Sequence, residues 1–507
     1  MELNFQTMKY ITIIILSTML FACGGYLSNK VPTKGAIDKE IEQGNFTEAT
    51  KLIGLYLASD TISPEERYKM NFSIDKMKRI KRDFSQRDTS VIDYIKKHHP
   101  QVTAEEIAAW EKSNALENMS IDGEKLYFHS AGRNLFRIDS AAAQMYKLPN
   151  GGQSDSLNRF LAWHIPQLIK EAQKTKKNYT SPVKMRVKYT LTVKPNEVPA
   201  GETIRVWMPY PRTDVKSHTN IELISVSQPL YIIAPDSYAH KSIYMEGTAV
   251  EDQPTVFNYE FAYTSYAQVH LFKDEDVKEY NTESQLYKEY TKERAPHILF
   301  SDNIKSKVNE VVGQETNPYL KAKKIYEWID SNFPWASARE YSTIDNIPEY
   351  VLANHHGDCG QVSLLFITMA RAAGIPVKWQ SGWMMHPGNK NLHDWAEAYF
   401  EGVGWVPVDQ SFGRVKEFVA KENGNENELS QGEEKEFSQG ADETFYFFTK
   451  GLDPYRLIVN QDISQPFFPA KIYPRSETVD FQRGEVEWKG ENLYFGRWRY
   501  NMDIEYL

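Results

Sequence analysis

Residues 354–412 read NHHGDCGQVSLLFITMARAAGIPVKWQSGWMMHPGNKNLHDWAEAYFEGVGWVPVDQSF, and this stretch carries the clearest structural signal in the chain. The residues after Cys359 are mostly apolar up to Gly374-Ile375-Pro376, which is typical of a helix that begins at the cysteine and ends at the glycine. At a helix N-terminus, the free backbone amides and the helix dipole favour a thiolate and can stabilise an oxyanion. The pattern therefore predicts that Cys359 is a nucleophile.

The same stretch offers a base and an acid after the cysteine. His393 opens a predicted strand, and Asp409 ends a second strand that follows the turn at 401–404. A Cys, His, Asp order fits a nucleophile, a general base and the acid that orients the base. Asp394 and Glu397 are alternative orienting acids, but the short strand that leads to Asp409 favours Asp409.

The spacing of this pair makes a prediction about strand register. His393 and Asp409 are sixteen positions apart (409 − 393), so their midpoint is Glu401, whereas the centre of the turn is nearer Gly402-Val403. Directly opposite positions in an antiparallel pair would share their midpoint with the turn. The two side chains therefore need an offset register or a bulge to meet.

Several linked motifs in this region resemble the transglutaminase-like superfamily of thiol enzymes. The resemblance covers roughly 318–412, and the β-region before it resembles the leading domain of bacterial members. It implies a papain-like α+β fold in which Cys359, His393 and Asp409 form the catalytic triad, with Trp335 as a candidate aromatic that assists the oxyanion. The matching motifs are Gly357-Asp358-Cys359-Gly360, Ala370-Arg371-Ala372-Ala373-Gly374-Ile375-Pro376-Val377, Ser381-Gly382-Trp383, His393-Asp394-Trp395-Ala396-Glu397 and Gly404-Trp405-Val406-Pro407-Val408-Asp409.

Composition excludes several classes of protein. The 507 residues contain two cysteines, so neither a disulfide framework nor a four-thiolate zinc site can be built. His355 and His356 beside Asp358 lack a further spaced ligand set, which favours a loop next to the site over a metal centre. The formal net charge of −9 gives no attraction to nucleic acid. We therefore expect no metal, no cofactor and no nucleic-acid partner.

The other cysteine, Cys23, follows an apolar run from Ile11 to Ala22 that has the length of a signal-peptide core and is too short to span a membrane. Leu20-Phe21-Ala22-Cys23-Gly24 resembles the lipobox of bacterial lipoproteins. The resemblance implies that residues 1–22 are a signal peptide and that acylated Cys23 tethers the chain to a lipid membrane. We therefore expect a lipoprotein of the cell envelope, on the periplasmic side or at the cell surface.

The remainder of the chain predicts a multidomain protein. Hydrophobic periodicity favours a mostly helical N-terminal region over 23–180, a β-sandwich-like domain over 181–275 and a catalytic α+β domain over 276–507. The last domain contains an acidic loop at 422–436, and its aromatic runs at 445–448 and 492–495 are interpreted as strands that complete its sheet. The basic run 76–82 is interpreted as a solvated helix face.

These features predict thiol-dependent acyl transfer on the amide bonds of a peptide or protein substrate, with hydrolysis favoured over protein cross-linking. Two other classes remain open at this point. The first is a non-catalytic lipoprotein that binds a peptide or glycan in the same groove. The second is an assembly factor that acts through the helical N-terminal region.

Overall fold

A computed structural model describes residues 31–59, 62–145, 155–412 and 443–507. Cys23 and the acidic loop at 422–436 lie outside the described residues. The chain divides into two compact units. The first comprises the described residues up to Lys78 together with Ser120–Glu124, and the second comprises Arg79–Met119 and Lys125–Leu507.

Helices account for most of the region before residue 180 and for a second group between 285 and 372, as the sequence periodicity predicts. None of the helices in the described part of the chain is long and apolar enough to cross a membrane. The helices are α1 Lys34–Glu42, α2 Phe46–Leu57, α3 Pro64–Asp83, α4 Asp88–His98, α5 Ala104–Lys112, α6 Ala131–Ile138, α7 Ser140–Met145, α8 Asp155–Thr175, α9 Gln285–Tyr290, α10 Asp302–Val312, α11 Pro318–Asn332, α12 Ile347–Asn354 and α13 Cys359–Ala372, with short 3-10 turns at Asp274–Asp276 and Tyr341–Thr343.

Three short strands lie before residue 130, and the others begin at residue 179, where the hydrophobic period changes to two. The strands are β1 Phe84–Gln86, β2 Asn118–Ile121, β3 Glu124–Phe128, β4 Tyr179–Val193, β5 Thr203–Pro209, β6 His218–Val226, β7 Tyr231–Ile233, β8 Ser242–Thr248, β9 Thr255–Val269, β10 Val377–His386, β11 Asn389–Phe400, β12 Gly404–Val408, β13 Gly451–Leu452, β14 Arg456–Asn460, β15 Glu485–Trp488 and β16 Trp498–Tyr506.

The region around Cys359 is a four-stranded sheet with a helical layer. The strand order is β12-β11-β10-β14, and the pairs are antiparallel. Helix α13 is buried along most of its length, because its apolar residues pack into one hydrophobic core with α10, α11 and α12. Leu161, Ile165 and Leu168 of α8 belong to the same core. This helix therefore packs with the catalytic region, although it falls within the 23–180 segment of the sequence.

Two further sheets form the predicted β-rich part, and their core is continuous with residues of β10. One sheet has the order β13-β9-β4-β16 with β6 paired to β9, and the other has the order β15-β5-β8-β7. Trp383 and Met385 of β10 are buried in the hydrophobic core of these sheets. These two sheets therefore combine strands from 179–269 with strands from 451–506.

The interpretation of the C-terminal aromatic runs is wrong. Residues 443–447 are helical, and 492–495 form no extended strand, with Asn492 making only an isolated bridge to Glu487. Of the C-terminal strands, only β14 joins the sheet of the catalytic region, whereas β13, β15 and β16 extend the other two sheets. Aromatic runs report burial but not period, and burial alone does not separate a strand from a helix or loop.

The basic run on α3 is not uniformly solvated. Arg79 is 1% exposed, and its guanidinium donates hydrogen bonds to the carbonyls of Arg475 at 2.9 Å and Ser476 at 3.0 Å. It also lies over the ring of Tyr494. The prediction of a solvated face is therefore wrong at this residue, because a guanidinium can be buried when carbonyl oxygens satisfy its donors.

Candidate active site

Cys359 is the first residue of α13, and the helix begins there for an identifiable reason. Asp358 is the N-cap: its carboxylate accepts a hydrogen bond from the Gln361 amide at 3.0 Å, and Gln361 Oε1 accepts one from the Asp358 amide at 3.3 Å. This reciprocal capping box satisfies two amides that a helix start leaves free. The Tyr341 hydroxyl donates to Asp358 Oδ1 at 2.6 Å and fixes the cap further.

Gly360 is required by the crowding behind the thiol. A Cβ placed on this residue would overlap the Tyr341 hydroxyl oxygen and would lie 2.7 Å from Asp394 Oδ2. The side chains of Tyr341 and Asp394 therefore lie too close to the backbone of Gly360 to leave room for a β-carbon. The glycine after the nucleophile serves packing, and its backbone is already helical.

The thiol of Cys359 is half-buried, and its hydrogen-bond partner is a carboxyl group. Sγ donates to Asp394 Oδ2 at 3.3 Å. Burial raises the pKa of the thiol well above its ordinary value, and the neighbouring carboxyls of Asp394 and Asp358 act in the same direction. The sequence-based expectation of a thiolate therefore does not hold for the free protein, because burial and two neighbouring carboxyls outweigh the helix dipole.

His393 and Asp409 are brought together as the sequence predicts. His393 Nε2 lies 2.8 Å from Asp409 Oδ2, and both side chains are buried. Burial lowers the pKa of His393, and the nearby Asp409 carboxylate offsets part of that effect. In the described residues, hydrogen bonds join Cys359 to Asp394 and His393 to Asp409, and none joins Cys359 to His393.

The strand register shows how the pair meets. Phe400 pairs with Gly404 and Ala396 pairs with Val408, so the turn is centred on Gly402. Asp409 follows directly after β12 and lies diagonally across from His393. The predicted offset register is confirmed, and the register of β11 and β12 requires no bulge.

A buried network behind Asp409 was not predicted. Arg456 Nη2 lies 3.1 Å from Asp409 Oδ2 and 2.9 Å from Asp453 Oδ2, and His386 Nε2 lies 2.9 Å from Asp453 Oδ1. Although burial alone would raise the pKa of Asp453, Arg456 and His386 hold it well below its usual range. Arg456 therefore forms an ion pair with Asp409, the predicted orienting acid. It comes from β14, some fifty residues beyond Asp409, and no local motif marks it.

A cavity of about 220 Å³ opens beside Cys359. Trp335 lines it, as expected for an aromatic next to the nucleophile, and the guanidinium of Arg137 lies 4.8 Å from its ring centroid. A second part of the lining comes from a C-terminal segment that no motif in the sequence marks. Its residues are Glu477, Asp480, Phe481, Gln482, Arg483 and Gly484.

The other candidate groups fall into different roles. Glu397 pairs with Lys378 at 2.9 Å and does not contact His393. His356 is buried and its Nδ1 lies 2.8 Å from the Asn354 carbonyl oxygen. Among the described residues, no group of three His, Cys, Asp or Glu side chains is placed to hold a metal ion. Asp394, which was considered only as an orienting acid, instead contacts the nucleophile.

Comparison with known proteins identifies the family of this region. Residues 305–410 match the family described as the Transglutaminase-like superfamily. Over this segment the chain is similar to that superfamily, and the resemblance seen in its motifs is confirmed. The fold around it is a mixture of helices and several sheets, as the sequence predicts.

Two relatives share part of the sequence. An uncharacterized protein of Haemophilus influenzae is 29% identical over 160 residues, which is 26% of this chain and 41% of the relative. The uncharacterized protein YebA of Bacillus subtilis is 24% identical over 131 residues, which is 22% of this chain and 18% of the relative. The chain thus spans less than half the length of either relative.

Two solved structures overlap with the chain at low similarity. The crystal structure of a candidate cysteine protease from Cytophaga hutchinsonii has a TM-score of 0.41 and 13% identity, and it covers 65% of this chain and 92% of its own. The periplasmic domain of TgpA from Pseudomonas aeruginosa has a TM-score of 0.25 and 14% identity, and it covers 55% of this chain and 95% of its own.

Proposed function

We propose that this protein is a thiol hydrolase that cleaves amide bonds in peptides or proteins. Cys359 attacks the carbonyl carbon, and the thiol proton passes to His393. His393 then returns a proton to the departing amine, and water releases the acyl group from sulfur. Asp409 orients the imidazole through Nε2 and is itself held by Arg456.

The observation that carries this proposal is the combination of a thiol on the wall of a cavity and a buried imidazole bonded to a carboxylate. A buried His–Asp pair costs desolvation, which a base and its orienting acid would explain. The amides at the start of α13 supply donors for a developing oxyanion. Trp335 lines the same cavity and is proposed to assist there.

The test is a search for new peptide termini. The purified chain is incubated with a mixture of defined peptides, and products are identified by mass spectrometry. We expect new termini, together with an acyl adduct on Cys359 when the reaction is quenched early. Cys359→Ala should abolish both, whereas Cys23→Ala, which removes the only other cysteine, should abolish neither. If Cys359→Ala cleaves the mixture as the wild type does, the proposal is wrong.

Protein cross-linking is the second candidate, because acyl transfer to an amine uses the same acyl-enzyme. A fluorescent primary amine added to the same reaction separates the two candidates. We expect hydrolysed peptides to dominate over amine-labelled ones. A labelled product that exceeds the hydrolysed one would replace hydrolysis with transamidation, while a chain that forms neither product would support a binding role for the cavity.

We also propose that the protein is tethered in the cell envelope through a lipid on Cys23. The support is the lipobox-like sequence at 20–24. Expressed in a Gram-negative bacterium, the wild type should sediment with membranes and Cys23→Ser should not. The same substitution at the other cysteine, Cys359→Ser, should leave sedimentation unchanged. Membrane association that survives Cys23→Ser would exclude the lipid anchor.

A further inference from the structure

Asp394 occupies an unusual position for a carboxyl group, since it faces the nucleophile itself. Its Oδ2 accepts the thiol hydrogen of Cys359 at 3.3 Å, and its Oδ1 accepts a hydrogen bond from Gln482 Nε2 at 2.7 Å. The residue is 3% exposed. We propose that Asp394, whose own protonation is set by Asp480, is a further catalytic residue that keeps the Cys359 thiol protonated until substrate engages the site, an inference that rests on the proposed thiol chemistry.

Asp480 explains how a second carboxyl can be buried at this place. Its Oδ1 accepts hydrogen bonds from Ser381 Oγ at 2.5 Å, Asn460 Nδ2 at 3.0 Å and Trp379 Nε1 at 3.3 Å. Three donors on one oxygen stabilise the ionised form of Asp480. Its Oδ2 has no donor among the described N–H and O–H groups, and the Asp394 carboxyl is within hydrogen-bonding reach of Asp480, so one shared proton satisfies both carboxyls.

The shared proton belongs to Asp394. Burial, followed by the charge of Asp480, raises the pKa of Asp394 well above its ordinary value, so that Asp394 is the carboxylic acid of the pair. The hydroxyl of Asp394 donates to Asp480, so toward the sulfur Asp394 can only accept a hydrogen bond. The thiol therefore keeps its hydrogen and donates it to Asp394, which is the observed contact.

The other charged groups around this pair are compensated or lie behind it. Arg483 is paired with Glu340 at 2.6 Å and with Glu477 at 3.6 Å. Arg475 donates to the backbone carbonyl of Asp480, and the Tyr341 hydroxyl is engaged by Asp358. The carboxyl of Asp358 also lies near the thiol, where burial raises its pKa to about 6. The carboxyls that act on the sulfur are therefore Asp394, which Asp480 keeps neutral, and Asp358.

This arrangement gives the free protein a neutral thiol that is slow to react with oxidants and adventitious electrophiles, because the thiolate is the reactive form. Asp394 and His393 are adjacent in β11, where successive side chains point to opposite faces of the sheet. For reaction, the thiol therefore has to leave Asp394 before it can pass its proton to the proposed base, His393.

The test measures the reactivity of Cys359 without any substrate. The alkylation rate by iodoacetamide is measured at pH 8 at the Cys359 peptide by mass spectrometry, in the folded full chain. In Asp394→Asn, the amide can donate both to Asp480 and to sulfur, so the thiolate fraction and the rate should rise about 10-fold. In Asp480→Asn, the new amide donates to Asp394 and stabilises its carboxylate, so the rate should fall by a similar factor.

Rate shifts in opposite directions support the proposal, and two results overturn it: an unchanged or slower rate in Asp394→Asn, or shifts of both variants in one direction. Asp503→Asn, an exposed position on β16, is the matched control and should leave the rate unchanged. If Asp480→Asn does not fold, Asp394→Asn alone decides. Because alkylation needs no substrate, opposite shifts in a protein that cleaves no peptide would contradict the proposed function and leave the role of the carboxyl pair intact.

Discussion

At the scale of single residues, Asp409 controls the imidazole. It accepts from His393 Nε2 at 2.8 Å, so it selects the tautomer and leaves Nδ1 free for proton transfer. Asp409→Asn keeps the shape but removes the charge, and its amide favours the wrong tautomer. We expect kcat/KM for peptide cleavage to fall about 10³-fold or more.

The matched control for this variant is Asp503→Asn, which changes an exposed acid in the same way and should retain full kcat/KM. Thermal unfolding separates a catalytic effect from a folding defect. The interpretation fails if Asp409→Asn retains wild-type kcat/KM, or if its loss is matched by an equal loss of folded protein.

Gly360 makes a second residue-scale prediction, which concerns stability. A methyl group there would collide with the Tyr341 hydroxyl and crowd Asp394, and both are buried. Gly360→Ala should reduce the free energy of unfolding by about 1–3 kcal/mol, which is typical of overpacking. Urea denaturation measures it.

Gly54 provides the opposite case, since it lies within α2 and a Cβ on it would meet nothing within 4 Å. Gly54→Ala should therefore stabilise its helix by about 0.5–1 kcal/mol, because alanine is the better helix former. Equal effects of the two substitutions would show that crowding at Gly360 is not the cause.

At the scale of elements, the end of α3 carries a buried acid whose ionisation opposes folding. Asp83 accepts hydrogen bonds from Thr343 Oγ1 at 3.0 Å and from the Glu340 amide at 3.2 Å. Burial, with a smaller contribution from Glu340, raises its pKa to about 7. The folded state therefore holds this proton at pH values where the unfolded state has lost it, so stability falls as pH rises through 4 to 7.

Asp83→Asn removes the titratable carboxyl group and keeps an acceptor for the Thr343 hydroxyl. Because other groups cancel in the comparison, the stability of the variant relative to wild type should increase by about 2–3 kcal/mol between pH 5 and pH 8. Urea denaturation at the two pH values measures the difference. A constant difference would mean that Asp83 is not protonated in the folded chain at pH 5.

The same scale shows what the sequence could and could not reveal. The helix that begins at Cys359, the strands around His393 and the register of Asp409 follow from local periodicity and turn position, and these were predicted. Arg456, Asp480 and Gln482 reach the site from segments distant in the sequence, and no local pattern links them to it. The contact between Asp394 and the thiol was missed for a different reason: Asp394 is visible beside His393, but only the packing of α13 against β11 decides which acid meets the sulfur.

At the scale of the whole molecule, the last strand and a strand of the candidate active site contribute to the same hydrophobic core. β16 pairs with β4 over nine residues, and its residues Trp498 and Met502 are buried in the core that also contains Trp383 and Met385 of β10. Gly382, beside Trp383, is paired with His393. Loss of the C-terminal strand should therefore carry the catalytic sheet with it, as one cooperative transition.

Met502→Ala tests this coupling far from the chemistry. Truncation of a buried methionine should reduce the free energy of unfolding by about 2–5 kcal/mol, whereas Arg499→Ala, at an exposed position on the same strand, should change it by no more than about 0.5 kcal/mol. Far-ultraviolet circular dichroism reports the sheets, and alkylation of Cys359 in denaturant reports the site. We expect both probes to move together in Met502→Ala, because β10 contributes residues both to the core of the two sheets and to the core that contains α13. If the dichroism midpoint falls while the alkylation midpoint stays at the wild-type value, the catalytic sheet folds independently of the strands that surround it.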